Sequence, residues 1–88
     1  MNIDKVKSLC NMSIEELKHI DKEKLNNLYG QISEVRDDTQ EQKLYELLYE
    51  ECDFNLIEDL EETITALDDL LSRIELAIIL LETENYNK

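Results

Sequence analysis

Residues 57–81, IEDLEETITALDDLLSRIELAIILL, decide the fold of this 88-residue chain. Their apolar side chains recur at alternating spacings of three and four, which places them along one side of an α-helix. The series is Ile57, Leu60, Ile64, Leu67, Leu71, Ile74, Ile78 and Leu81. These residues occupy the a and d positions of a heptad repeat, so the sequence predicts one long helix with an apolar row of the coiled-coil type. We call this row the heptad seam.

A helix of this length needs other helices beside it. From Leu56 to about Glu82 it would be roughly 40 Å long, which exceeds the width of a bundle built from so short a chain. Its last turns carry further apolar residues outside the seam: Leu76, Ala77, Ile79 and Leu80. The C-terminal end is therefore predicted to be covered on several sides, either by Ile14, Leu17 and Ile20 or by another subunit.

The start of the chain predicts short helical segments. Residues 3–10 show a weak amphipathic pattern of one or two turns. Ser13 and Glu16 have the spacing of a capping box, in which each side chain pairs with a backbone N–H at the start of a helix. A short helix through Ile20 is predicted to follow.

The middle of the chain predicts two helices with a loop between them. Asp21 is a candidate N-cap for a helix over residues 22–35, whose apolar residues repeat at helical spacing. Residues 36–43, RDDTQEQK, contain no apolar side chain, so a loop is predicted there. The next helix is predicted over about residues 40–52.

The composition agrees with an all-α fold. The chain has no proline and one glycine, so it lacks the turn residues that several short strands need. A chain of this length suffices for one hydrophobic core. The sequence therefore predicts a single domain over residues 1–88, a small helical bundle of three to five helices on one long C-terminal helix, with residues 85–88 as a loose tail.

The sequence lacks the residues that common catalytic and metal sites require. Glu16 and His19 have the Glu-x-x-His spacing of di-iron bundles, but such sites need a second pair and His19 is the only histidine. A lone histidine on a charged helix offers little activation to a serine or cysteine nucleophile, and a single glycine excludes a glycine-rich phosphate loop. We expect no enzymatic activity, no metal and no cofactor.

The net charge of −13 limits the kinds of partner that the chain is expected to bind. Its negative charge disfavours direct binding to nucleic acid phosphates or to an anionic membrane. A basic protein surface would be electrostatically complementary to it. Residues 1–43 hold nine acids and seven bases, whereas residues 44–87 hold thirteen acids and only Arg73 as a base. The second half of the chain therefore carries nearly all of the excess charge.

The sequence also predicts a cytoplasmic protein. Cys10 and Cys52 are too few for a disulfide framework, so reduced thiols are expected. Residues 1–12 lack the apolar stretch of a secretory signal, and the longest apolar run, residues 76–81, is far shorter than a membrane span. No contact with a membrane is expected.

Acidic residues line up beside the seam of the long helix. With Ile57 as position a, every e position is acidic: Glu61, Asp68, Glu75 and Glu82. Lys22 and Arg36 occupy e positions of the preceding helix, so an antiparallel packing would pair some of these charges within the chain. We assign the candidate partner-binding surface to Glu50, Glu51, Asp53, Glu58, Asp59, Glu61, Glu62, Asp68 and Asp69.

Carboxylates displayed along a rigid helix can imitate backbone phosphates. In size and charge the chain resembles the small acidic phage-borne inhibitors of CRISPR and restriction enzymes. This resemblance implies a protein that occupies a Lys/Arg-lined groove on a nucleic-acid-processing protein and blocks it. Tyr45, Tyr49 and Phe54 lie near the acidic residues in sequence and are candidate apolar anchors, although at least two of them are predicted to pack in the core.

Other functions fit the same sequence. The acidic face can be a solvated surface that serves only solubility. Alternatively, the heptad seam from Ile57 to Leu81 self-associates into a homodimer through the C-terminal helix, or grips a helix of another protein. A further alternative is an immunity or antitoxin protein that neutralises a basic toxin by the same electrostatics.

Overall fold

The computed structural model describes residues 3–49, 51 and 53–86, and this part of the chain contains helices and no strand. In chain order the helices are α1 (Ile3–Cys10), α2 (Ile14–Leu17), α3 (Lys22–Leu47) and α4 (Phe54–Tyr86). The prediction of an all-α bundle on one long C-terminal helix is confirmed. Helix α4 has 33 residues, so it is about 50 Å long.

Helices α3 and α4 form an antiparallel hairpin, which is the main body of the molecule. The molecule measures 59 × 18 × 17 Å along its principal axes. The heptad seam of α4 faces inward, since its members are buried or half-buried. Leu70 and Ala77, which lie beside the seam at g positions, are also buried. The seam is therefore used within the chain, against α3 and the two short helices.

Helices α1 and α2 cover only one half of the hairpin. Leu9 of α1 and Leu17 of α2 join the core that α3 and α4 form around Leu25 and Ile74. Arg73 ties the link between the two short helices to α4, because its Nη1 donates a hydrogen bond to the carbonyl of Met12 at 2.7 Å. We call this part of the hairpin the covered half, and we call residues 36–66, which include the α3–α4 turn, the open half.

Ile14, Leu17 and Ile20 pack in or against the core, as one of the two predicted alternatives stated. The prediction that the C-terminal end of the long helix is covered on several sides is wrong for Leu76 and Ile79, which are exposed because they lie on the side of α4 opposite the seam. The Ser13 cap is also present. Its Oγ accepts from the backbone N–H of Glu16 at 3.2 Å and donates to the Glu16 carboxylate at 3.3 Å. Helix α2 is shorter than predicted, because it ends at Leu17.

The predicted loop over residues 36–43 is wrong, because α3 runs without a break from Lys22 to Leu47. A helix can continue through a segment without apolar residues if a small side chain of that segment packs against the neighbouring helix. Thr39 does so: it is buried, and its hydroxyl donates to the carbonyl of Val35 at 2.8 Å. Most of the remaining side chains in this segment are good helix formers on an exposed face.

The chain between α3 and α4 also differs from the prediction. Helix α3 ends at Leu47, before the predicted end at about residue 52. Tyr45, Tyr49 and Phe54 lie on the surface with exposed fractions of 59%, 66% and 76%. The expectation that at least two of them pack in the core is wrong, because no third helix within the described residues packs over the turn. Cys52 lies outside the described residues.

Two details complete the helix ends. Asp53 caps α4, because its Oδ1 accepts from the backbone N–H groups of Asn55 at 3.0 Å and Leu56 at 3.3 Å. At the other end α4 continues to Tyr86. The predicted loose tail, residues 85–88, thus begins inside this helix, and residues 87 and 88 lie outside the described part of the chain.

Candidate functional site

Three of the four acidic e positions of α4 form ion pairs with α3. Lys43 pairs with Glu61 at 3.2 Å, Arg36 with Asp68 at 2.9 Å, and Lys22 with Glu82 at 2.8 Å. We call these three pairs the ion-pair ladder. It arises because the antiparallel hairpin sets e positions of one helix beside e positions of the other.

The ladder changes the role of two predicted binding residues. The hydrogen bond from Arg36 to Asp68, aided by the charge of that carboxylate, raises the pKa of Arg36. Asp68 and Glu61 are therefore already engaged by cations of the same chain. These two carboxylates hold the hairpin together, and only part of their charge faces outward.

A second acidic row lies on the side of α4 opposite its buried seam. It consists of Glu58, Glu62 and Asp69, all exposed, and we call it the outer ridge. Asp69 pairs with Arg73 one helical turn away, at 3.1 Å. Glu58 and Glu62 form no ion pair with any other described residue.

The remaining predicted binding residues lie around the turn and beside the ridge. Glu51 and Asp53 are exposed, and Asp53 is committed to capping α4. Asp59 is exposed on the flank of α4 that faces a groove. Glu50 lies outside the described residues. The described residues of the predicted binding surface thus lie in four places: the ion-pair ladder, the outer ridge, the flank of α4 beside the groove, and the turn.

An exposed apolar surface at the turn was not predicted. It consists of Leu44, Tyr45, Leu47, Leu48, Tyr49, Phe54 and Leu56, and we call it the apolar tip. Contiguous exposed apolar surface of this kind marks an interaction site more often than a scattered apolar residue does. The sequence gives one signal for it, because residues 44–56 are rich in large apolar side chains.

A groove leads from α1 along the open half to the apolar tip. Its first part, about 760 Å³, lies between α1, α3 and α4, and its second part, about 240 Å³, reaches the turn. Gln42 and Leu60 line both parts, so the two lie next to each other along the hairpin. Thr39 and Leu67 contribute buried side chains to the first part.

Other chemistry finds little support in the described residues. No cluster of three or more histidine, cysteine or acidic side chains within them is arranged to hold a metal ion. His19 lines a separate hollow together with Lys5, Asp21 and Lys24. Cys10 is a free, half-buried thiol. None of the helices in the described ranges has an apolar stretch long enough to cross a bilayer.

Comparison of the chain with protein-family models, curated proteins and solved structures finds no match. The side chains of the open half therefore provide the basis for inferring a function.

Proposed function

We propose that this chain is a non-enzymatic cytoplasmic protein that binds a basic surface on a nucleic-acid-processing protein and blocks it by imitating nucleic acid. Its target class is that of CRISPR and restriction effectors, which the size and charge of the chain suggest. The observation that carries the proposal is the outer ridge, where Glu58 and Glu62 face outward without a cationic partner among the described residues.

Repulsion between the carboxylates of the outer ridge lowers the stability of the free protein. Like charges four residues apart on a helix destabilise it by about 0.2–0.5 kcal/mol per pair, and Glu58 and Glu62 have this spacing. Between Lys43 and Arg73 the sequence has no basic residue that could relieve them. A Lys/Arg-lined surface on another protein would supply the missing cations and would be steered toward the ridge at low salt.

The spacing of the ridge suits a site that normally receives a nucleic acid strand. Glu58 and Glu62 are separated by about 6 Å along the helix axis, which is close to two nucleotide steps of a B-form strand. Asp69 continues the row about two helical turns beyond Glu62, and Asp59 lies beside the row on the flank that faces the groove. The binding surface that we propose is therefore narrower than the predicted one, because Glu61 and Asp68 belong to the ladder.

A pair of double variants tests this proposal at equal net charge. Glu58→Gln with Glu62→Gln removes two ridge carboxylates, whereas Glu61→Gln with Asp68→Asn removes two ladder carboxylates. The wild type is used to capture partners from a host lysate fraction that heparin retains. Displacement of labelled DNA from the captured protein is then measured with each variant.

We expect the ridge variant to displace DNA at least about tenfold less effectively, and the ladder variant to stay within about threefold of the wild type. Equal losses in the two variants would mean that net charge alone matters, which would overturn the proposal. If the captured protein is a basic toxin that binds no DNA, the antitoxin function replaces mimicry.

Burial of the heptad seam favours the proposed function over self-association through the seam. The seam residues Ile64, Leu67 and Ile74 are buried against the chain's own helices. A second α4 could reach them only by displacing α3 or the short helices. Multi-angle light scattering during gel filtration is expected to give the mass of one chain.

A further inference from the structure

The α3–α4 hairpin has a third layer of helix along one half only. In the covered half, Leu9 of α1 and Leu17 of α2 complete the core above α3 and α4. In the open half the groove between the same two helices continues, with nothing packed on it among the described residues. We propose that this groove receives a short amphipathic helix of a partner protein, with leucine-like residues on one face and Lys or Arg on its flanks.

The lining of the groove has the shape and chemistry of a helix-binding surface. On α4 the lining side chains follow the spacing i, i+4, i+7 and i+11: Leu56, Leu60, Thr63 and Leu67. On α3 they include Val35, Thr39, Gln42 and Tyr45, and Tyr49 follows in the turn after this helix. The α4 series spans about 16 Å, which matches three turns of a docked helix. Apolar anchors of such a helix would insert between these two rows.

The charges around the groove determine what kind of helix fits. Glu46, Asp59 and Glu62 line it along the open half, and among the described residues the only base that lines it is Lys7, at the end next to α1. A docked helix with Lys or Arg on its flanks would meet these carboxylates, whereas an acidic helix would be repelled. Charge complementarity therefore selects a basic amphipathic segment.

The same charges argue against a second copy of this chain as the occupant. Two open halves placed together would bury the apolar tips of both chains but would also bring their acidic borders together. No basic residue lies between Lys43 and Arg73 to offset that contact, and like charges brought together across an interface oppose association.

The apolar tip supplies aromatic anchors at the far end of the groove. Tyr45 and Tyr49 line this end, and both are exposed in the free protein. Tyrosine is enriched among the residues that contribute most to binding energy, because it buries a large apolar area and retains a hydroxyl that can donate a hydrogen bond. The partner that we propose is basic, as in the proposed function, but the contacts here are apolar and involve largely different residues.

Two threonines of α4 provide a matched pair of variants. Thr63 lines the groove and Thr65 does not. Both are exposed, and each hydroxyl donates to the carbonyl four residues earlier at 2.9 Å. Thr63→Arg places a large cation in the groove, whereas Thr65→Arg makes the same chemical change outside it.

The probe is a synthetic helical peptide of about four turns with leucines at i, i+3, i+4 and i+7 and lysines elsewhere. One control peptide replaces lysine by glutamate, and another replaces leucine by serine while keeping every lysine. Binding is measured by fluorescence anisotropy, and the site is mapped by backbone amide shifts in nitrogen-15 spectra of the full chain.

We expect the lysine–leucine peptide to bind with shifts concentrated on residues 35–49 and 56–67, and both control peptides to bind at least about tenfold more weakly. Thr63→Arg is expected to weaken binding at least about tenfold, and Thr65→Arg by less than about threefold. Equal effects of the two arginines, equal binding of the serine peptide, or shifts confined to the outer ridge would overturn the proposal. So would self-association that protects the groove.

The outcome for the groove is separable from the outcome for the proposed function. Loss of peptide binding in Thr63→Arg, with DNA displacement unchanged in the ridge variant, would remove nucleic-acid mimicry and leave the groove proposal intact. Ridge-dependent DNA displacement without peptide binding to the groove would remove the groove proposal alone.

Discussion

The two halves of the α3–α4 hairpin have similar patterns of apolar residues but very different surroundings. In the covered half Leu25, Ile32 and Ile74 are completely buried, because α1 and α2 add a third layer. In the open half Leu48 and Phe54 lie almost fully on the surface. The seam residues Ile57 and Ile64 are buried in the open half too, so the difference concerns the apolar side chains beside the seam, which become core only where a third element covers them.

The charges follow the same division. The carboxylates of Glu82 and Glu84, near the end of α4, are held by Lys22 and Lys18. In the open half, Lys43 pairs with Glu61, while Glu58 and Glu62 have no cation among the described residues. The covered half thus holds most of the buried core, whereas the open half holds most of the exposed apolar surface and the unpaired carboxylates Glu58 and Glu62.

The largest expected difference between the halves concerns truncation of leucine. Leu70 is fully buried in the covered half, whereas Leu56 is 42% exposed in the open half. We expect Leu70→Ala to lower the free energy of unfolding by about 2–5 kcal/mol, and Leu56→Ala by less than about 1 kcal/mol. Urea unfolding followed by circular dichroism measures both, and similar losses would show that the halves are equally packed.

A smaller effect is expected from the one ladder pair of the open half. Lys43 and Glu61 are partly exposed, and exposed ion pairs contribute about 0.2–1 kcal/mol. A double-mutant cycle with Lys43→Gln and Glu61→Gln should give a coupling energy in this range that shrinks as salt is raised. A coupling that does not respond to salt would mean that the pair acts through packing.

The smallest effect is a dependence of stability on alkaline pH in the covered half. The hydrogen bond with Glu84, together with the charge of Glu15, raises the pKa of Lys18 above its ordinary value of 10.5. Its contribution to stability is complete below the ordinary value and is lost as the pH rises through the raised pKa. Thermal melts above pH 10 should therefore decline less steeply in Lys18→Gln than in the wild type. Parallel declines would contradict this assignment.

The fold could be predicted from the sequence wherever the pattern of residues indicated both a helix and the element that packs against it. The heptad seam faces the apolar residues Leu25, Leu28 and Ile32 across the α3–α4 hairpin, and both sets are largely buried. The charges of Lys22 and Arg36 were placed correctly beside α4, because heptad positions determine which side chains meet in an antiparallel pair. Ser13 could be identified as a cap because a capping box has a fixed spacing along the sequence.

The surface of the open half could not be predicted in the same way. An absence of apolar residues over 36–43 indicates an exposed segment, but it does not distinguish a loop from a solvated helix. Equally, the aromatic residues of the turn look like core until it is known that the two short helices end before reaching them. The nine candidate carboxylates share one sign of charge, and only coordinates separate those held by the ladder from those of the outer ridge.

The central claim is that the open half binds partners while the covered half maintains the fold. Hydrogen–deuterium exchange of the chain, free and bound to the nucleic-acid-binding protein that it captures, tests this claim most directly. We expect slower exchange on binding in residues 36–66, with little change in α1, α2 and the helix segments that they cover. Slower exchange confined to residues 3–28 and 70–84 would contradict it.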